Sequence, residues 1–97
     1  MESLLLSLLL AAAPAPPAPA KLGLCESCHG RDGRARTPDA PHLGGQNRAY
    51  LAQALQQYRD GRRQAQVMNG IAGVLSPADI EALARWYAAQ PWSNAEP

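Results

Sequence analysis

The chain has no marked excess of either charge, no long apolar run, and few cysteines. Nine Lys and Arg against eight Asp and Glu leave a formal charge of +1. That is too small a basic excess to build a phosphate-neutralising face, which argues against a nucleic-acid partner. Ninety-seven residues leave no room for a second domain. No stretch alternates apolar and polar residues long enough to make a half-buried strand, and no internal repeat is present. The longest apolar run, LLLSLLLAAA at residues 4 to 13, is too short to cross a bilayer as a lone helix. A domain this small buries a modest fraction of its surface and usually needs a disulfide, a metal or a bound cofactor as a staple. Only two cysteines, Cys25 and Cys28, are available to anchor one.

The apolar run has the length of a signal-peptide core, and Ala18 with Ala20 forms an A-x-A cleavage pattern after it. Residues 1 to 20 therefore read as a cleaved leader and residues 21 to 97 as the mature, exported domain, without a membrane span. Met1 and Glu2 depart from the usual leader, which opens with positive charge. The alternative is a buried helix over residues 1 to 13. Pro14, Pro16, Pro17 and Pro19 would separate such a helix from everything that follows.

The remainder predicts an all-α domain of about three helices and loops. From Cys25 to about Gln46 the chain is rich in Gly, Pro, Asp and Arg and reads as turns and loop. Tyr50, Leu51, Ala54, Leu55 and Tyr58 fall on one face of a helix from Arg48 to Tyr58, with Asn47 to cap its start and Gly61 its end. Ser76, Pro77 and Asp79 are N-cap, first-turn proline and capping-box acid of a second helix that Pro91 stops. That helix turns Ile80, Leu83, Ala84 and Tyr87 toward a core. Between the two, QVMNGIAG at residues 66 to 73 reads as a short irregular segment, with Gly70 and Gly73 making the backbone permissive.

CESCH at residues 25 to 29 matches the C-x-x-C-H pattern of covalent haem attachment. On a helix, Cys25 and Cys28 share a face one turn apart, where two sulfurs can bond two vinyl groups on one porphyrin edge. His29, four residues after Cys25, then brings its imidazole under the iron. The other readings of the pair are a disulfide, a thioredoxin-like redox pair and half of a zinc site. Zinc lacks a second pair of ligands, since only His42 is left, and a thioredoxin-like motif belongs beside a strand pattern that is missing. A structural disulfide stays open as the alternative. The candidates for the opposite face of the iron are Met68 and His42, because Met1 leaves with the leader. Met68 also reads as core filler, and His42 sits just after Pro41 in a loop expected to stay on the His29 side. Ligation by a neutral thioether would raise the reduction potential.

These residues resemble class I cytochrome c, in the small bacterial periplasmic branch where the unit occurs singly or twice in tandem. The likeness runs from about Leu22 to Trp92 through CESCHGRDG, PHLGGQ, YLAQALQQYRDGRR, MNGIAGVL and SPADIEALARWYA, in order and with matching spacing. It implies a small cytochrome c fold over residues 21 to 97 around one covalent haem c. It also implies that Met68 is the distal ligand and that the Pro41 carbonyl accepts the ring N–H of His29. Gln46, Tyr50, Arg59 or Arg63 would lie near the haem propionates, although Arg59, Arg62 and Arg63 also read as a solvated patch at a helix end. The chain departs from the family in its N-terminal helix, which prolines up to Pro19 truncate. The expected cost is reduced packing against Leu83 and Tyr87, with stability leaning on the haem.

The implied function is electron transfer by a periplasmic carrier that docks transiently with redox partner proteins, and not an enzyme. Its near-neutral charge points to docking through a local patch instead of a long-range field. A cytochrome subunit of a larger redox enzyme would share this chemistry. A haem enzyme or gas sensor would need an open iron face and a distal acid-base group, and nothing beyond His42 offers one.

Overall fold

The computed structural model describes residues 15 to 91. The apolar run expected as the leader core, at residues 4 to 13, and Trp92 lie outside the described residues. Among the described residues there are four α-helices and no strand: α1 (Gly23–His29), α2 (Arg48–Asp60), α3 (Gln66–Gly73) and α4 (Pro77–Ala88). None is long and apolar enough to cross a membrane.

The helix α2 begins where expected. Asn47 accepts the Tyr50 N–H at 2.8 Å, and Gly61 ends the helix in the left-handed conformation at φ 84°. Its buried residues are Leu51, Ala52 and Ala54, while Tyr50 is 45% exposed. The buried stripe is thus turned away from Tyr50 relative to the apolar periodicity, because α2 packs against both α3 and α4. At α4 the capping box is complete: Ser76 accepts from Asp79 N–H at 3.0 Å and the Asp79 carboxylate accepts from Ser76 N–H at 2.9 Å. Ile80, Leu83, Ala84 and Tyr87 are buried, as their spacing predicts.

The helix α1 is only seven residues long and has no side-chain cap, so it cannot be stable by itself. Pro19 still contributes, since its carbonyl accepts the Leu22 N–H at 3.1 Å and starts the turn that leads into the helix. Both ends are then tied to α4. Lys21 donates to the Asp79 carboxylate at 2.8 Å at one end. At the other, the Tyr87 hydroxyl donates to the Gly30 carbonyl at 2.8 Å and the Trp86 indole N–H to the Arg31 carbonyl at 2.7 Å. Between these ties Leu22 and Cys25 enter the core with Leu51, Leu75, Ile80, Leu83 and Tyr87. Burying Leu22 alone is worth about 1.5–3 kcal/mol. The truncation therefore leaves Leu83 and Tyr87 covered, at 1% and 3% exposure, contrary to the packing loss expected. Two inward side chains and three hydrogen bonds stand in for the longer helix.

The segment that reads as irregular is α3, an eight-residue helix. Two glycines lower its intrinsic propensity, but Ala72 and the following Leu75 are buried at 0% and 2% exposure and draw it onto the core. Tertiary packing overrides the local preference here.

Candidate functional site

Helical geometry brings Cys25, Cys28 and His29 together on α1. Cys25 is buried and Cys28 exposed, and the two thiols are not joined. Burial, with a smaller push from the Glu26 carboxylate, raises the Cys25 thiol from 9.0 to about 11. A redox-active cysteine needs the opposite shift, toward thiolate, so the environment suits a neutral sulfur held in one place. Among the described residues no group of three or more His, Cys, Asp and Glu could hold a metal ion, which leaves the zinc reading without further ligands.

His29 is 9% exposed. Its Nδ1 lies 2.9 Å from the Pro41 carbonyl oxygen. A carbonyl can only accept, so Nδ1 carries the proton and Nε2 keeps its lone pair for a metal. The same bond makes the imidazole a better donor. The loop that presents Pro41 is built from main-chain bonds. Leu43 N–H and Gly44 N–H both donate to the Gly33 carbonyl, at 2.7 and 3.1 Å, Gly45 N–H donates to the Tyr87 carbonyl at 3.0 Å, and Arg36 N–H to the Cys28 carbonyl at 2.7 Å. Gly33 is required at this crossing: it has φ 83°, and a Cβ there would strike Gly44 N. Burial pushes the Tyr87 phenol well above its ordinary range, so it remains a donor to Gly30 at any moderate pH.

His42 belongs to this same loop. Its Nδ1 accepts the Ala35 N–H at 2.9 Å. Met68 is the third residue of α3 and is half-buried. Of the residues expected near propionates, the fold brings Tyr50 and Arg63 together, with Tyr58. The Arg63 guanidinium lies 5.8 Å from the Tyr50 ring centroid and 5.4 Å from that of Tyr58. Gln46 instead accepts from the neighbouring Asn47 N–H at 2.8 Å. Arg62 pairs with Asp60 at 2.8 Å, as a solvated helix-end cation should. The sequence reading missed Asn69, which bonds to Ala65, Tyr58 and Arg63 through its carboxamide. Its carbonyl partners lie 11 and 6 positions away, beyond the reach of a local signal.

The residues fit a covalent haem c. Two cysteines are offered on one helix, and the histidine beside them has its free nitrogen fixed by a hydrogen bond on the other. Leu24, Tyr50 and Val67 also leave apolar surface uncovered on α1, α2 and α3, at 40%, 45% and 68% exposure.

No family model matches the chain. It is 41% identical over 73 residues to cytochrome c-554(548) of Halomonas halodenitrificans, covering 72% of this chain and 88% of that protein. To cytochrome c4 of Pseudomonas aeruginosa it is 36% identical over 102 residues, covering 96% of this chain and 51% of the relative. The crystal structure of reduced recombinant cytochrome c4 from Pseudomonas stutzeri matches with a TM-score of 0.67 at 32% identity, over 84% of this chain and 53% of that one. The chain thus spans about half the length of these cytochrome c4 relatives.

Proposed function

The chain belongs to the class I cytochrome c family, of the cytochrome c-554 and c4 kind, and from that premise we propose a periplasmic carrier of single electrons in which His29 and Met68 ligate the iron. It is a haem c protein that transfers electrons, and it is not an enzyme. Haem c, when bound, supplies the reversible one-electron change.

The residues of the chain do the rest. Cys25 and Cys28 would hold the group on α1, and α1 is tied to α4 at both ends, so the attachment point would move with the core. His29 offers Nε2, and the Pro41 carbonyl holds the ring's tautomer and orientation. Met68 offers a neutral thioether that favours the reduced state. The Tyr50, Tyr58 and Arg63 cluster supplies one fixed positive charge where an anionic propionate could be held. Export follows from the apolar run and the A-x-A pattern at Ala18 and Ala20. Redox partners would dock briefly, guided by a local patch.

The observation that supports this reading is the 2.9 Å contact between His29 Nδ1 and the Pro41 carbonyl, which leaves the other ring nitrogen available to a metal. The test is the full chain, exported with the haem-attachment machinery, compared with Met68→Ala. Wild-type haem should survive denaturing electrophoresis, and its reduced form should not bind carbon monoxide. The Met68→Ala form should bind it. Carbon monoxide binding equal to wild type in that variant would remove Met68 from the iron.

A further inference from the structure

We infer that Asn69 is the positioning residue for Met68, holding the helix that carries the thioether. The inference rests on the proposed ligation by Met68.

The helix α3 has little else to hold its first turn. It is eight residues long, its only buried residue is Ala72 in the second half, and the N-cap Ala65 provides no side-chain cap. Gly70 and Gly73 favour the unfolded backbone. The Asn69 carboxamide makes three bonds that close this gap. Its Oδ1 accepts the Ala65 N–H at 2.9 Å, capping the helix from within. Its Nδ2 donates to the Tyr58 carbonyl at 2.8 Å and the Arg63 carbonyl at 2.9 Å. The Tyr58 carbonyl is one of the last four of α2, which have no partner inside that helix. One side chain thus joins the end of α2, the connecting turn and the start of α3.

Successive helical residues leave the axis about 100° apart. Anchoring Asn69 toward α2 therefore fixes the rotation of α3, and with it the direction in which the adjacent Met68 leaves the helix. Without the carboxamide, two carbonyls and an N–H must find water, and the first turn loses its tie. Met68 would then spend a larger fraction of time away from the iron.

The test is the affinity of the ferric holoprotein for imidazole, measured well below the thermal midpoint, because apparent affinity rises in proportion to the population with Met68 released. Asn69→Ala should bind imidazole about tenfold more tightly than wild type. The isosteric Asn69→Asp keeps the acceptor for Ala65 but faces two carbonyls with a second acceptor, so it should also tighten binding. Ile80→Val, in the core, should lower the thermal midpoint and leave imidazole affinity unchanged. Met68→Ala should tighten binding most. If Met68→Ala matches wild type, the ligand reading fails and this inference with it. If Met68→Ala binds more tightly but both Asn69 variants stay within about twofold of wild type, the ligand reading stands and the role of Asn69 is overturned. If neither Asn69 variant accumulates as folded holoprotein while Met68→Ala does, Asn69 serves folding and the positioning role is likewise overturned.

Discussion

The two sides of the site are built differently. On the His29 side, α1 is pinned to α4 at both ends, His29 is buried and bonded to Pro41, and the loop beneath is stitched by main-chain bonds at Gly33, Gly44 and Gly45. Losing any one of these leaves others in place. On the Met68 side, a helix with two glycines and one buried alanine is held through the carboxamide of Asn69. The contrast teaches that the residues proposed for attachment and proximal ligation have several supports, while the proposed thioether ligand sits on an element with fewer. Elements with little buried surface open first, so this side should yield before the other.

The largest effect expected is on the His29 side, because it takes the removal of both cysteines to undo it. Cys25→Ala with Cys28→Ala should abolish haem retention in denaturing gels. It should also lower the thermal midpoint, because the exposed Leu24, Tyr50 and Val67 lose the apolar group that would cover them. A far-UV thermal melt checks this. Next comes Gly33→Ala, which places a Cβ against Gly44 N at φ 83° and should cost about 1–3 kcal/mol by straining the loop that presents Pro41. Denaturant unfolding would read it, with ferric imidazole affinity expected to stay near wild type. Tyr87→Phe should cost about 1 kcal/mol by removing the buried bond to Gly30, again without releasing Met68.

The smallest effect is pH-dependent. The Lys21 ammonium, ahead of the Ser76 backbone N–H, holds the Asp79 carboxyl down from 3.8 to about 2. Because the folded value is the lower one, this contribution is present above about pH 4 and is lost as pH falls toward 2. Asp79→Asn should flatten the fall in thermal midpoint over that interval. An unchanged slope would show that the tie between α1 and α4 adds nothing at that end.

Much of this was legible in the residues. Asn47, Gly61, Ser76, Pro77 and Asp79 act through neighbours a few positions away, so they marked α2 and α4 correctly. CESCH carries its geometry in five residues. Likeness to the family pairs Pro41 with His29, and the fold sets the Pro41 carbonyl oxygen 2.9 Å from His29 Nδ1. The unread parts depend on distant partners. The helix α3 exists because Ala72 and Leu75 are buried, which outweighs its glycines. Tyr50 turns outward because α2 must pack on two helices, and Arg63 is distinguished from Arg62 only once Tyr50 and Tyr58 meet it. Leu83 and Tyr87 stay covered because Leu22 and Cys25 reach them, a compensation no local pattern announces.

The asymmetry between the two sides is tested most directly by a guanidinium titration of the ferric holoprotein followed by two signals. One is the weak red absorption band of ferric iron bound to a thioether sulfur, and the other is helical circular dichroism. The thioether band should disappear at a lower denaturant concentration than the helical signal, with haem still attached. Coincident curves would contradict the account, because the Met68 side would then be as firmly held as the rest of the fold.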